Sequence, residues 1–230
     1  MSTQTIFQHP LFGFALTVGA YVIALKLHGK WKLLHPLFVC SGGIIALLLL
    51  FDIPLEKYRT GGDLVTFFLG PATVALGVPL YRQRAYIKKY FAAIVSGVTV
   101  GSVSGIVSAG VLVWLTGGTR ELIVTMMPKS VTSPISLEIV RQAGGIPELG
   151  AVFTVLTGLL GSMIGPGLLR LVRISGDMPI GVAIGTSSHG IGTARIIRES
   201  ELQGSLSGVT MGLAGIVTCL LFIPIYAWLR

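Results

Sequence analysis

Residues 185–195 read Gly-Thr-Ser-Ser-His-Gly-Ile-Gly-Thr-Ala-Arg. Three glycines, four hydroxyl side chains, a histidine and an arginine fall within eleven residues of a chain otherwise built from apolar runs. No apolar helix continues undisturbed through such a stretch. An earlier segment, Pro128-Lys129-Ser130-Val131-Thr132-Ser133-Pro134, has the same character. Two polar, helix-interrupting segments inside a hydrophobic chain are the feature from which the rest is read.

Of the 230 residues, 52% are hydrophobic and 11% are charged, and the mean hydropathy is +0.83. A soluble chain of this length could not cover its surface with so few charges, so its solvent is a bilayer. The net charge of +8 comes from short basic clusters between apolar runs. That is the placement the positive-inside rule produces at cytoplasmic loops, not the continuous basic face of a nucleic-acid partner. Cys40 and Cys219 each lie in an apolar run with no CxxC spacing, and His9, His28 and His35 lie far along the chain from His189. No disulfide, metal or other cofactor is expected. Residues 1–10 lack Lys and Arg, and no cleavage site follows the first apolar run, so that run reads as a mature span.

Apolar segments are expected at 11–27, 33–51, 64–80, 90–115, 149–172 and 206–229, with interrupted ones at 122–137 and 178–197. The links at 26–35 and 81–89 are basic and read as cytoplasmic, and the link at 52–63 carries three acids and reads as outer. Gly70-Pro71 and Pro79 make the third segment a poor regular helix, because proline removes a backbone donor. Gly97, Gly101 and Gly105 form a four-residue stripe with Ser104 and Ser108 on neighbouring rows. Gly204, Gly208 and Gly212 form another. Such stripes let backbones approach, within the fold or between copies in a homo-oligomer.

The second half thus runs interrupted segment, long helix, interrupted segment, long helix. If 122–137 re-enters and returns, Arg170 and Arg173 fall on the cytoplasmic side. If it crosses, Arg141 does. Charge favours re-entry and the repeat favours crossing. The fold class is therefore an all-α integral membrane protein with about six to eight transmembrane segments, two of them discontinuous or re-entrant, a possible internal repeat, and one domain over 1–230.

Interrupted apolar segments in corresponding positions point to a transporter's binding site. Lys129 near the bilayer centre must be paired or wet, although a shallow loop would let it snorkel to the surface. The helix N-terminus after the second break, with Ser187, Ser188 and Thr193 around it, suits a small carboxylate. His189 reads either as a proton-coupling or hydrogen-bonding group for that anion or as a neutral histidine held by a backbone carbonyl. Arg195 reads either as a carboxylate clamp or as an interfacial residue. No intramembrane acid is available to orient His189 in a triad, so an enzyme is not expected.

The runs at 128–135 and 185–195, Gly144-Gly145-Ile146-Pro147, and 71–76 followed by Pro79-Leu80-Tyr81 resemble the LrgB/CidB family. The resemblance implies a bacterial inner-membrane protein, a smaller LrgA/CidA-type membrane partner, and a holin/antiholin-like role in murein hydrolase activity and autolysis. It also implies kinship with pyruvate transporters and with the plastid glycolate/glycerate translocator, and a fold with crossed, discontinuous helices. The expectation is a carrier for a small monocarboxylate, with Lys129, Ser130, Thr132, Ser187, Ser188, His189 and Thr193 lining a site between the two breaks. The competing expectation is a lysis regulator acting through its glycine faces.

Overall fold

The computed structural model describes residues 9, 11–31, 35–68, 71, 74–75 and 77–229. Every regular element among them is an α-helix: α1 (Leu11–Lys30), α2 (Pro36–Leu50), α3 (Leu55–Phe67), α4 (Gly77–Arg82), α5 (Arg84–Lys89), α6 (Phe91–Leu115), α7 (Arg120–Met126), α8 (Ser133–Gln142), α9 (Pro147–Leu171), α10 (Asp177–Ile196) and α11 (Glu201–Leu229). Four of these, α1, α6, α9 and α11, are long and apolar enough to cross a membrane, and α2 is a shorter apolar helix. Two compact units divide the chain, residues 1–75 and 76–230.

In the first unit, Ala24 of α1 packs with Cys40, Ile44 and Leu48 of α2. Gly13 permits α1 to meet the backbone of α3 at Tyr58 and Gly61, where any side chain would collide. The Thr17 hydroxyl lies 3.0 Å from the Tyr58 hydroxyl and fixes the crossing. Much of the link expected at 52–63 is thus helical, because its outer face can be polar while Gly61 is buried. The start of the second expected segment, and Gly70, Ala72, Thr73 and Leu76 of the interrupted third, lie outside the described residues.

In the second unit, the helices expected at 90–115, 149–172 and 206–229 appear as α6, α9 and α11. One end of this unit is rich in arginine. There Arg170 pairs with Glu199 at 2.9 Å, Arg82 lies 3.6 Å from Glu201, and the Gln203 side chain donates to Asp177 at 2.7 Å. Ile94 and Val98 of α6 pack with Leu206 and Ala214 of α11, and Ile106 packs with Phe222, so these two helices run in parallel from that end.

The segment from α7 to α8 enters from the opposite end. Gly110 of α6 faces Ile123 and Met127, and Gly105 faces Ser130, so α7 follows α6 inward to its middle. Residues 127–132 then turn. From there α8 heads back, with Ile135 against Gly215 and the Tyr226 hydroxyl donating to the Ile139 carbonyl at 3.2 Å. The Ile146 amide donates to Thr125 at 2.9 Å and closes the excursion near its start.

The helix α10 doubles back in the opposite sense. Ile180, Ile184 and Ile196 share one apolar cluster, although a straight helix would hold the outer two about 24 Å apart. The reversal is at His189, whose φ of 40° and ψ of −137° are non-helical. The outgoing arm lays Gly181 against Leu206 and Gly185 against Ser207 of α11. The returning arm brings Thr193 back to Ser207 and Ile197 back to Gly204. Both interrupted segments are therefore helical hairpins, and each reverses at about the middle of the long helices. The glycine stripes explain how. Gly97, Gly101 and Gly105 admit α10 and the 127–132 turn, and Gly204 admits the returning arm, whereas a side chain on Gly208 or Gly212 would meet nothing within 4 Å.

Candidate functional site

The two hairpin tips meet on a single turn of α6. A Cβ on Gly101 would lie 3.0 Å from Thr186 Cγ2 in α10, and one on Gly105 would lie 3.6 Å from Ser130 Oγ in the 127–132 turn. Between the tips and the small-residue face of α6 lies a groove of about 750 Å³, within the range of small-molecule sites. It begins at Ala93, Met178 and Pro179 near the arginine-rich end, and reaches Ser104, Ser108, Lys129 and Ser130. The Lys129 ammonium donates to Ser130 Oγ at 3.3 Å. Among the described residues, Lys129 is the one charged group in the groove's lining, which otherwise offers the hydroxyls of Ser104, Ser108, Ser130, Thr186 and Ser187. A groove lined by one cation, hydroxyls and apolar walls, with no carboxylate in that lining, has the chemistry to accept a small anion.

Of the residues expected to line the site, Lys129, Ser130 and Ser187 do line the groove. The other four are not part of its lining. Thr132 caps the start of α8 in position, though its side chain makes no capping bond. Ser188 is fully buried, 3.0 Å from the Ser187 hydroxyl and pressed on Gly161 of α9. Thr193 is buried between the His189 carbonyl at 2.8 Å and the Ser207 hydroxyl at 2.7 Å. His189 is 5% exposed, and its Nε2 lies 3.0 Å from the Thr154 carbonyl of α9. That is the backbone-held histidine of the sequence alternatives. The physical reason is helical phase: α10 turns one side to α6 and the other to α9, and Ser188, His189 and Thr193 fall on the latter or past the reversal.

Ser104, Ser108 and Thr186 were not expected in the site. The first two were visible as hydroxyls beside the glycine stripe, a signal that also fits plain helix packing.

Arg195 has a different task from an anion clamp. Pro166 lies inside α9 and has no amide to bond the Ser162 carbonyl four residues earlier. Arg195 Nη1 donates to that carbonyl at 2.6 Å and to the Met163 carbonyl at 3.3 Å. Glu199 lies 3.7 Å from Arg195 and pairs with Arg170, tying the base of the hairpin to α9.

A family model described as the LrgB-like family matches residues 17–228. Among curated proteins, the chain is 42% identical to the uncharacterized protein YwbG of Bacillus subtilis (strain 168), covering 88% of this chain and 91% of YwbG. It is 35% identical to the uncharacterized protein YxaC of the same strain, covering 93% and 94%. An uncharacterized protein of Haemophilus influenzae is also 35% identical, covering 90% of both chains. No solved structure matches.

Proposed function

The chain belongs to the LrgB-like family and is a multi-pass membrane protein, and from that premise we propose that it carries a small monocarboxylate, of the pyruvate or glycolate kind, across the bacterial inner membrane. The observation that carries the reading is the groove between the hairpin tips, with Lys129 as the charge in its lining. Non-helical backbone at membrane depth is tolerated where it is buried in protein or lines a water-filled cavity, and the 127–132 turn meets that condition. In this reading the two hairpins re-enter from opposite faces. The arginine-rich end, with Arg82, Arg84, Lys88, Lys89 and Arg170, is cytoplasmic. Lys129 attracts the carboxylate, and Ser130, Thr186 and Ser187 orient it. No bond is made or broken, and rocking of the hairpins against α6 alternates access.

The regulator reading, with a small LrgA/CidA-type partner or a second copy, assigns the glycine faces to assembly. Gly97 and Gly101 are occupied by Val182 and Thr186 of the same chain, which leaves Gly208 and Gly212 for such a role. The deciding experiment is uptake of labelled pyruvate, glycolate and lactate into vesicles, with and without the small partner. Uptake that falls in Lys129→Gln and persists in Gly212→Leu supports the carrier. No uptake of any of the three under either condition sinks it.

A further inference from the structure

What a hydroxyl can offer a ligand is decided by where its single hydrogen goes. A serine or threonine inside a helix that donates to the carbonyl three or four residues earlier has only lone pairs left to offer. Four hydroxyls of the groove's lining are committed in this way. Ser104 donates to the Gly101 carbonyl at 3.0 Å and Ser108 to the Gly105 carbonyl at 3.2 Å. Thr186 donates to the Val182 carbonyl at 2.7 Å and Ser187 to the Ala183 carbonyl at 2.8 Å. Because Ser187 has given its hydrogen to Ala183, Ser188 is the donor in the 3.0 Å contact between their hydroxyls. Ser187 Oγ is therefore an acceptor towards the groove.

The other two polar side chains of the lining are of the opposite kind. Lys129 has three ammonium hydrogens and directs one to Ser130 Oγ at 3.3 Å. Ser130 accepts that bond and donates to no group among the described residues, so its own hydrogen is available. The two kinds are also set apart along α6. Ser130 Oγ lies over Gly105, and Thr186, the neighbour of Ser187, lies over Gly101. These glycines are one helical turn apart, a rise of about 6 Å. Ser104 stands on α6 at a level between them, and both Ser104 and Ser187 are exposed.

A carboxylate has only lone pairs, so it pairs with Lys129 and Ser130 and gains nothing from the oxygens of Ser104 and Ser187. Those oxygens need a hydrogen from the ligand. A keto oxygen would meet them lone pair to lone pair, and an unsubstituted carbon would leave them unpaired. An ammonium would bring hydrogens, but also a second cation into a groove whose lining holds Lys129 and no carboxylate. A hydroxyl brings the hydrogen without the charge. We propose that the groove takes a small monocarboxylate bearing its own hydroxyl in preference to the keto or unsubstituted acid of the same length. Ser104 and Ser187 are the specificity residues that accept from that hydroxyl, while Lys129 and Ser130 hold the carboxylate. This assignment rests on the carrier reading and narrows its substrate class.

The test is a calorimetric titration of the full-length protein in detergent with lactate, pyruvate, propionate and alanine at equal ionic strength. These three-carbon acids differ only at the second carbon. The wild type should bind lactate about tenfold more tightly than pyruvate or propionate, the scale of one or two hydrogen bonds, and alanine most weakly. In Ser104→Ala/Ser187→Ala the lactate Kd should rise about tenfold, to that of pyruvate. The ligand series on the wild type tests the groove's polarity without any substitution. Pyruvate that binds as tightly as lactate, and is weakened in Lys129→Gln, overturns the hydroxyl preference and leaves the carrier reading standing. Alanine that binds as tightly as lactate overturns the choice of a hydroxyl over an ammonium. A lactate preference that persists undiminished in the folded double variant overturns the assignment to Ser104 and Ser187. Binding of none of the four by the wild type overturns the carrier reading and this inference with it.

Discussion

The Nε2 atom of His189 lies 3.0 Å from the Thr154 carbonyl oxygen, and this contact holds the α10 reversal against α9. His189 is also the residue at which the backbone takes a φ of 40°, a region that favours glycine and costs a side chain of order 1–3 kcal/mol. The histidine keeps this conformation because its ring is seated where α9 has no side chain, at Gly158.

His189→Ala keeps the strained backbone and loses the contact, whereas His189→Gly loses both strain and contact. Thermal unfolding should therefore rank wild type above His189→Gly, and His189→Gly above His189→Ala, by about 1 kcal/mol per step. An alanine variant as stable as wild type would show that the ring does not hold the reversal.

The bare faces of α9 and α10 are steeply position-dependent. A Cβ on Gly158 would lie 2.5 Å from His189 Nε2, and one on Gly185 would collide with the Ser207 backbone. Gly158→Ala and Gly185→Ala should lower thermal stability by several kcal/mol or abolish folded protein. Gly208→Ala meets open space in a helix interior and should be neutral or stabilising by up to about 1 kcal/mol. Equal losses at all three positions in detergent would contradict this packing.

The bond from Arg195 to Ser162 exists because Pro166 withholds an amide. Arg195→Met should cost about 1.5–3 kcal/mol. The same change in a Pro166→Ala background should cost less, since the substitution restores a backbone donor to the Ser162 carbonyl. Full additivity in this double-mutant cycle would mean that the proline and the arginine act separately.

Hairpin geometry predicts which loops share a side. In a Cys219→Ser background, Thr119→Cys and Gln142→Cys should react with an impermeant thiol reagent from one side of sealed vesicles. Gly176→Cys and Arg198→Cys should react from the other. Opposite sidedness for Thr119 and Gln142 would mean that the α7–α8 segment crosses.

Groove occupancy has its own signature. Ser104 and Ser187 line the cavity with Lys129, so pyruvate should slow labelling of Ser104→Cys and Ser187→Cys several-fold while Lys129 is present, and not in Lys129→Gln. Protection that survives Lys129→Gln would remove the ammonium from the site.

The sequence alone determined the solvent, the long apolar helices α6, α9 and α11, and the two stretches, 128–134 and 185–195, within which helices fail. These are local matters of composition and of glycine and proline chemistry. It also supplied the basic links at 81–89 and 170–173 that mark one end of the unit. Tertiary structure decided the rest. The second break falls at His189 and not at a neighbouring glycine, because the partner that stabilises it, Thr154, lies 35 residues away. Charge and repeat together left the course of the two interrupted segments open, since the direction of a returning arm depends on which helices have bare faces to receive it. The site split for the same reason: Ser187 and Ser188 are adjacent in sequence, yet one side chain meets the groove and the other meets Gly161, a consequence of helical phase that no composition records.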